Sequence, residues 1–271
     1  MILSYLRSIL SISLLSGILP AAEASPKAEL RQAIFPYEAT YFAFDPGWVS
    51  ERPQNAKFQF SFAIHVVHTP TREPDGPLRP DGLFVAYSQT SFWDLESKSR
   101  PFFDSSYRPE AWWHVEVPSG GLADHAGLEP GFGHESNGKS GADSRSINHL
   151  FLRALAEWDV EQWSVQASPR VRVYTEKEDN PDIQQYRGYV DLQFSAARVE
   201  SWGLTVSGRI GSQGNRASIL AEATHPLASW TRGWVEGYLY VQAFSGWSET
   251  LLAYNHKIEA PRFLLGYAIT R

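Results

Sequence analysis

A histidine and a serine two residues apart, with amides and small residues close behind, stand in the segment Gly133–His149, GHESNGKSGADSRSINH. A serine hydroxyl is a weak nucleophile at neutral pH until a neighbouring imidazole takes its proton. The imidazole in turn needs a third group to hold its ring and tautomer. His134 and Ser136 satisfy the first requirement if they lie on a strand, where positions i and i+2 share a face. Asn148, or an acid such as Asp143, can satisfy the second from the next strand or the connecting turn. The same residues also suit a hydrated loop rich in turn formers, and His-x-Ser alone is a common spacing. His65, His68, His114, His125, His149, His225 and His256 lack such a partner pattern and add no third ligand at zinc spacing. They read as surface or interior polar residues.

The elements that must carry these residues are strands. From Lys57, Phe58, Phe60, Phe62 and Ile64 fall on one face, with Gln59, Ser61, Ala63 and His65 on the other. From Trp163, Val165, Ala167, Pro169, Val171 and Val173 oppose Gln166, Ser168, Arg170 and Arg172. From Tyr186, Gly188, Val190, Leu192 and Phe194 oppose Arg187, Tyr189, Asp191, Gln193 and Ser195. About twelve such segments of roughly nine to eleven residues occur, the length a tilted strand needs to cross a bilayer. They start near Lys57, Gly82, Ala111, Ala123, Asn148, Trp163, Tyr186, Ser201, Ala217, Trp234, Ser248 and Pro261. A soluble sandwich or lipocalin-like barrel would turn the apolar faces inward, whereas a membrane barrel turns them to lipid. The opposite faces carry Arg, Asp, Gln and Ser together, too polar for a dry core. Tryptophans near segment ends (Trp112, Trp113, Trp158, Trp163, Trp230, Trp234) suit interfacial girdles. The pattern predicts an all-β fold, a twelve-stranded antiparallel transmembrane β-barrel.

Arg7, the apolar run Ile9–Pro20 and Ala22-Glu23-Ala24 read as a secretory signal over residues 1–24. Residues 25–271 then form one barrel domain, opened by an irregular segment over about 25–55. Zero cysteines exclude disulfide scaffolds and thiol nucleophiles. A net charge of −6 without a Lys/Arg run argues against nucleic acid as partner.

The run His134-Glu135-Ser136-Asn137-Gly138-Lys139-Ser140, continuing through Asp143-Ser144-Arg145-Ser146-Ile147-Asn148, resembles the signature of the bacterial outer-membrane phospholipase A family. Pro36-Tyr37, KFQFSFA at 57–63, YSQT at 87–90, Tyr107-x-Pro109, DNPDI at 179–183 and Tyr254-Asn255 have counterparts in order. The resemblance implies an outer-membrane hydrolase of phospholipid and lysophospholipid acyl esters, with Ser136 as nucleophile, His134 as base and Asn148 orienting the imidazole. It implies an oxyanion donor at the Gly138 N–H and a catalytic calcium held by the Lys139 carbonyl and Ser144. Ser99 of a partner subunit completes that site, and Asp179 belongs to a second calcium position. It further implies an active homodimer with Gln89 at the contact. Glu135 replaces the family's usual aspartate and should point away from His134 and Ser136. A non-catalytic barrel, either a pore or a relative that has lost activity, is the alternative.

Overall fold

The computed structural model describes residues 34–47, 55–69 and 81–271, so the expected signal segment lies outside the described residues. Within Ala33–Arg271, one compact unit, the period-two segments are strands. They are β1 (Ile34–Phe35), β2 (Tyr41–Phe44), β3 (Ala56–His68), β4 (Gly82–Trp93), β5 (Phe102–Glu116), β6 (His125–Ser136) and β7 (Ser146–Val160). There follow β8 (Trp163–Ala167), β9 (Arg170–Glu176), β10 (Val190–Arg198), β11 (Gly203–Ile210), β12 (Ala217–Pro226), β13 (Tyr238–Trp247) and β14 (Lys257–Ala268).

β1 and β2 run along one edge of β3, Ile34 opposite Ile64 and Tyr41 opposite Gln59, and form one interrupted strand. β8 and β9 both lie between β7 and β10, broken at Ser168-Pro169, where proline supplies no N–H to the ladder. Fourteen segments therefore make twelve strands, all antiparallel. β14 pairs with β2, Ala268 opposite Tyr41, and closes the sheet. Closure satisfies every edge strand to strand, the condition for a sheet in lipid. No described helix is long and apolar enough to cross a membrane, which says nothing of the strands.

The faces decide between the two architectures. Phe60, Val85, Phe132, Leu150, Leu152, Val173, Phe194 and Val206 project from the outer wall and are exposed. Lys57, His65, Asp104, His114, Glu129, Glu135, Arg172 and Arg262 are buried in the interior. Apolar outside and polar inside is the arrangement of an outer-membrane barrel. The interior polar groups pair with one another. His114 Nδ1 lies 2.9 Å from Glu129 Oε1, while Arg153 also reaches Glu129. Arg170 pairs with Glu110 at 2.5 Å and Arg172 with Asp191. A cavity of about 60 Å³ lined by Arg108, Arg170, Arg172, Arg209 and acids remains, room for about four waters. Charged side chains from different strands thus meet in the lumen.

Four segments differ from the sequence reading, the first being the strand expected from Ala111, which begins at Phe102. The span Pro26–Trp48 looks irregular, yet Tyr41–Phe44 is the strand that closes the barrel; four residues are too few to display a period. The strand expected from Tyr186 begins at Val190, because Gln184–Arg187 forms a short helix, α1, and Gly188 follows at φ +61°. A Cβ at Gly188 would meet the Ile210 carbonyl oxygen at 1.9 Å. Near Ser248 there is a loop, drawn down by buried Leu251 and Tyr254, which pack on Ile147 and Ile183. Pro261 lies inside β14, and the register there shifts between Phe244 and Gly246. Trp112 also departs from its girdle assignment: it faces inward, buried and stacked on Tyr37 at 5.0 Å.

The helix α1 aims Arg187 into the lumen, where its Nη1 donates to Glu135 Oε2 at 2.6 Å and its Nε to Ser248 Oγ at 2.7 Å. Ser106 Oγ donates to the other oxygen of Glu135 at 2.6 Å. Replacing Arg187 by alanine strands a buried carboxylate, with an expected cost of about 3–5 kcal/mol. A urea titration read by the heat-modifiable gel shift should show a lower midpoint for Arg187→Ala. An unchanged midpoint would contradict this.

Candidate active site

β6 and β7 are joined by a loop held by Asn137, which is nearly fully buried. Its Nδ2 donates to the Asp143 carbonyl at 2.8 Å, and its Oδ1 accepts from the Lys139 and Arg145 amides at 3.2 and 3.0 Å. The sequence reading assigns Asn137 no role, although an Asn between two strand ends is a signal for a side-chain-capped turn. This loop brings Asn148 directly across from His134 and Ser146 across from Ser136. His134 and Ser136 share the outer face with Phe132, while Gly133 and Glu135 turn inward. Glu135 thus points away from the pair, as expected.

The Nδ1 of His134 lies 2.7 Å from Asn148 Oδ1. An amide oxygen only accepts, so Nδ1 carries the proton and donates. That leaves Nε2 with a free lone pair, the state a general base requires. Asp143, the other candidate for this role, instead ends the short 3-10 turn Gly141–Asp143. Ser136 Oγ makes no hydrogen bond to His134 here; nucleophile–base contacts commonly tighten only when substrate binds.

Gly138 adopts φ +69°, and a Cβ there would stand 3.0 Å from the Tyr107 ring. Only glycine takes this left-handed conformation at little cost. Among the described residues no acceptor takes its N–H, which leaves that N–H free beside Ser136.

The DNPDI turn positions the acid. Asn180 is fully buried and its Nδ2 donates to the Ser146 carbonyl at 2.7 Å. This brings Asp179 to Ser144, whose Oγ donates to Asp179 Oδ2 at 2.7 Å. Lys139 is anchored by its Nζ, which donates to the Phe103 carbonyl at 2.7 Å. A hydroxyl, a carboxylate and a backbone carbonyl are hard oxygen donors, which fits calcium better than softer-ligand metals. Among the described residues no group of three His, Cys, Asp or Glu gathers for a metal.

Ser99 is not brought to this cluster within one chain. It sits in the turn between β4 and β5, which Asp94 shapes by accepting from the Glu96 and Ser97 amides at 3.1 and 2.9 Å. The Ser97 hydroxyl and amide hold the Asp94 carboxyl below its ordinary range. Gln89 lies on the outer wall of β4, its Oε1 accepting from Tyr87 at 3.0 Å and its Nε2 donating to Ser91 at 3.3 Å.

The family model for phospholipase A1 matches residues 36–266. The chain belongs to the phospholipase A1 family. A relative from Neisseria meningitidis serogroup B is 32% identical over 187 residues, 65% of this chain and 46% of that relative's length. Phospholipase A1 of Escherichia coli (strain K12) is 28% identical over 262 residues, 87% of this chain and 84% of that enzyme. Two solved structures share the fold. One is a Salmonella typhi outer membrane phospholipase dimer with bound calcium (TM-score 0.70, 24% identity, 91% of this chain and 94% of that one). The other is outer membrane phospholipase A from E. coli, an Asn-to-Ala active-site mutant (TM-score 0.68, 24% identity, 92% and 94%). As a family member with this apolar wall, the protein is a barrel of the bacterial outer membrane.

Proposed function

We propose that this phospholipase A1 family member hydrolyses both acyl esters of phospholipids, and those of lysophospholipids, through Ser136, His134 and Asn148. The observation that carries the reading is the 2.7 Å contact of His134 Nδ1 with Asn148 Oδ1 on a lipid-facing wall, two residues from a serine. The neighbour solved as an active-site asparagine mutant supports an amide in this role.

Ser136 Oγ attacks the ester carbonyl while its proton passes to His134 Nε2. Asn148 holds the ring so that Nε2 faces the serine throughout. The Gly138 N–H donates to the oxyanion that forms. His134 then returns its proton to the departing alcohol, which leaves the acyl group on Ser136. In the second half it takes a proton from the attacking water and gives it to Ser136 Oγ as the acyl–oxygen bond breaks and the fatty acid leaves. Asn148 orients the imidazole through a hydrogen bond and brings no charge of its own. It also stabilises the imidazolium less than a carboxylate would, so the oxyanion donors carry more of the barrier.

Calcium is the proposed cofactor, held by the Lys139 carbonyl, Ser144 and Ser99 of the partner subunit, with Asp179 at a second position. When bound it supplies Lewis-acid stabilisation of negative charge. The calcium-bound dimer among the neighbours supports the ion and a homodimer. The proposed active form is that dimer, with Gln89 at its contact. An amide in an apolar wall is suited to bridge two barrels.

In this reading the substrate is phospholipid of the outer leaflet, met at the apolar wall that Phe132 and Leu150 expose beside the site. Purified protein in detergent with millimolar calcium should release fatty acid from either position of phosphatidylcholine. Absence of release from both positions would overturn the proposal and favour a barrel that has lost activity.

A further inference from the structure

The third group of the site has a neighbour of its own. β9 does not run in simple register beside β7: His149 opposes Tyr174, yet Asn148 opposes Glu176. In unbroken register Asn148 would face Thr175. One extra residue, Thr175, is absorbed as a bulge, a device that re-aims side chains beside functional sites. The shift leaves Glu176 on the outer face, in line with Asn148 and His134 across three strands.

Asn148 Nδ2 donates to Glu176 Oε2. A carboxylate only accepts, so it selects the amide orientation with Nδ2 toward β9 and Oδ1 toward β6. The opposite orientation would point Nδ2 at His134 Nδ1. That favours the tautomer protonated at Nε2 and removes the lone pair that takes the serine proton. No described Lys or Arg pairs with Glu176, and its side chain is exposed. Its place in the fold therefore rests on the amide, not on an ion pair that stabilises the barrel.

We infer that Glu176 is a positioning residue: it acts through Asn148 to hold His134 in the tautomer that serves as base. The inference rests on the reading of Ser136, His134 and Asn148 as the catalytic set. It also accounts for how an asparagine, free to flip, serves where a carboxylate needs no orientation. A charge-assisted hydrogen bond from the amide to a carboxylate is stronger than a neutral one, so the orientation is held firmly.

The test compares Glu176→Ala, Glu176→Gln, Asn148→Ala and the double variant Asn148→Ala/Glu176→Ala with wild type and Ser136→Ala. Steady-state phosphatidylcholine hydrolysis is measured on protein whose heat-modifiable gel shift matches wild type. Glu176→Ala should lose roughly tenfold in kcat with KM unchanged, as expected when a base loses its alignment. Glu176→Gln keeps an acceptor oxygen but can also turn its own NH2 toward Asn148 and carries no charge, so it should recover only part of that loss. In the Asn148→Ala background, removing Glu176 should cost nothing more, because its only route to His134 is gone. Wild-type kcat in Glu176→Ala, or an equal further loss in the double variant, would overturn the inference. Full activity in Ser136→Ala would instead overturn the catalytic reading beneath it, so the two failures are distinguishable.

Discussion

Ser136→Ala is expected to lose on the order of 10⁴- to 10⁶-fold in kcat, the range seen when a serine nucleophile is removed from a triad that works as a unit. The barrel should be untouched. Ser136 is half-buried on the outer face, and removing one such oxygen away from a packed core changes stability within roughly 0.5 kcal/mol. Detergent-purified variant should therefore show the wild-type heat-modifiable gel shift and no fatty-acid release above background. His134→Ala should fall as far, because an unassisted hydroxyl is a poor nucleophile. Asn148→Ala should fall less, since it removes alignment and not the proton acceptor. Hydrolysis by clean Ser136→Ala at even a tenth of the wild-type rate would remove Ser136 from the mechanism.

Chelation of calcium is expected to be the second-largest effect. With a neutral asparagine behind the imidazole, much of the stabilisation must fall on the developing oxyanion. Losing one donor to such an oxyanion costs about 10²- to 10³-fold. EGTA should lower kcat by that order and added calcium should restore it. Magnesium should restore little, because it demands near-ideal octahedral geometry and sheds water reluctantly. Ser144→Ala would remove one of the proposed oxygen ligands, so the calcium concentration for half-maximal activity should rise roughly tenfold, the equivalent of about 1.4 kcal/mol. Its hydroxyl donates to Asp179, so Asp179→Asn is the companion variant. Activity unchanged in EGTA would remove Lys139, Ser144 and Asp179 from the site together.

Much of the architecture was legible in the chain because strand faces repeat every second residue. The run Lys57–Ile64 and the run Val165–Val173 place their apolar side chains on the outer wall as their alternation predicts. The polarity of the opposite faces identifies which side meets lipid. β2 escaped because its four residues carry no measurable period, and α1 escaped because Tyr186–Phe194 alternates even though Gly188 breaks the strand. The loop at Ser248 imitates a strand, since its apolar residues cap the barrel end.

At the site, sequence by itself determined that His134 and Ser136 share a face, because two-residue spacing on a strand allows nothing else. It also favoured a membrane barrel as their carrier, since the alternation and the polar inner faces are written in residue order. Between Asn148 and Asp143 it left the third group open. Tertiary structure shows that the hairpin register sets Asn148, and not Asp143, against His134. It alone decided the partner of that asparagine, because a bulge at Thr175 slides Glu176 into place. Register and bulges depend on hydrogen bonds between distant segments, and a local pattern of side chains carries no record of them.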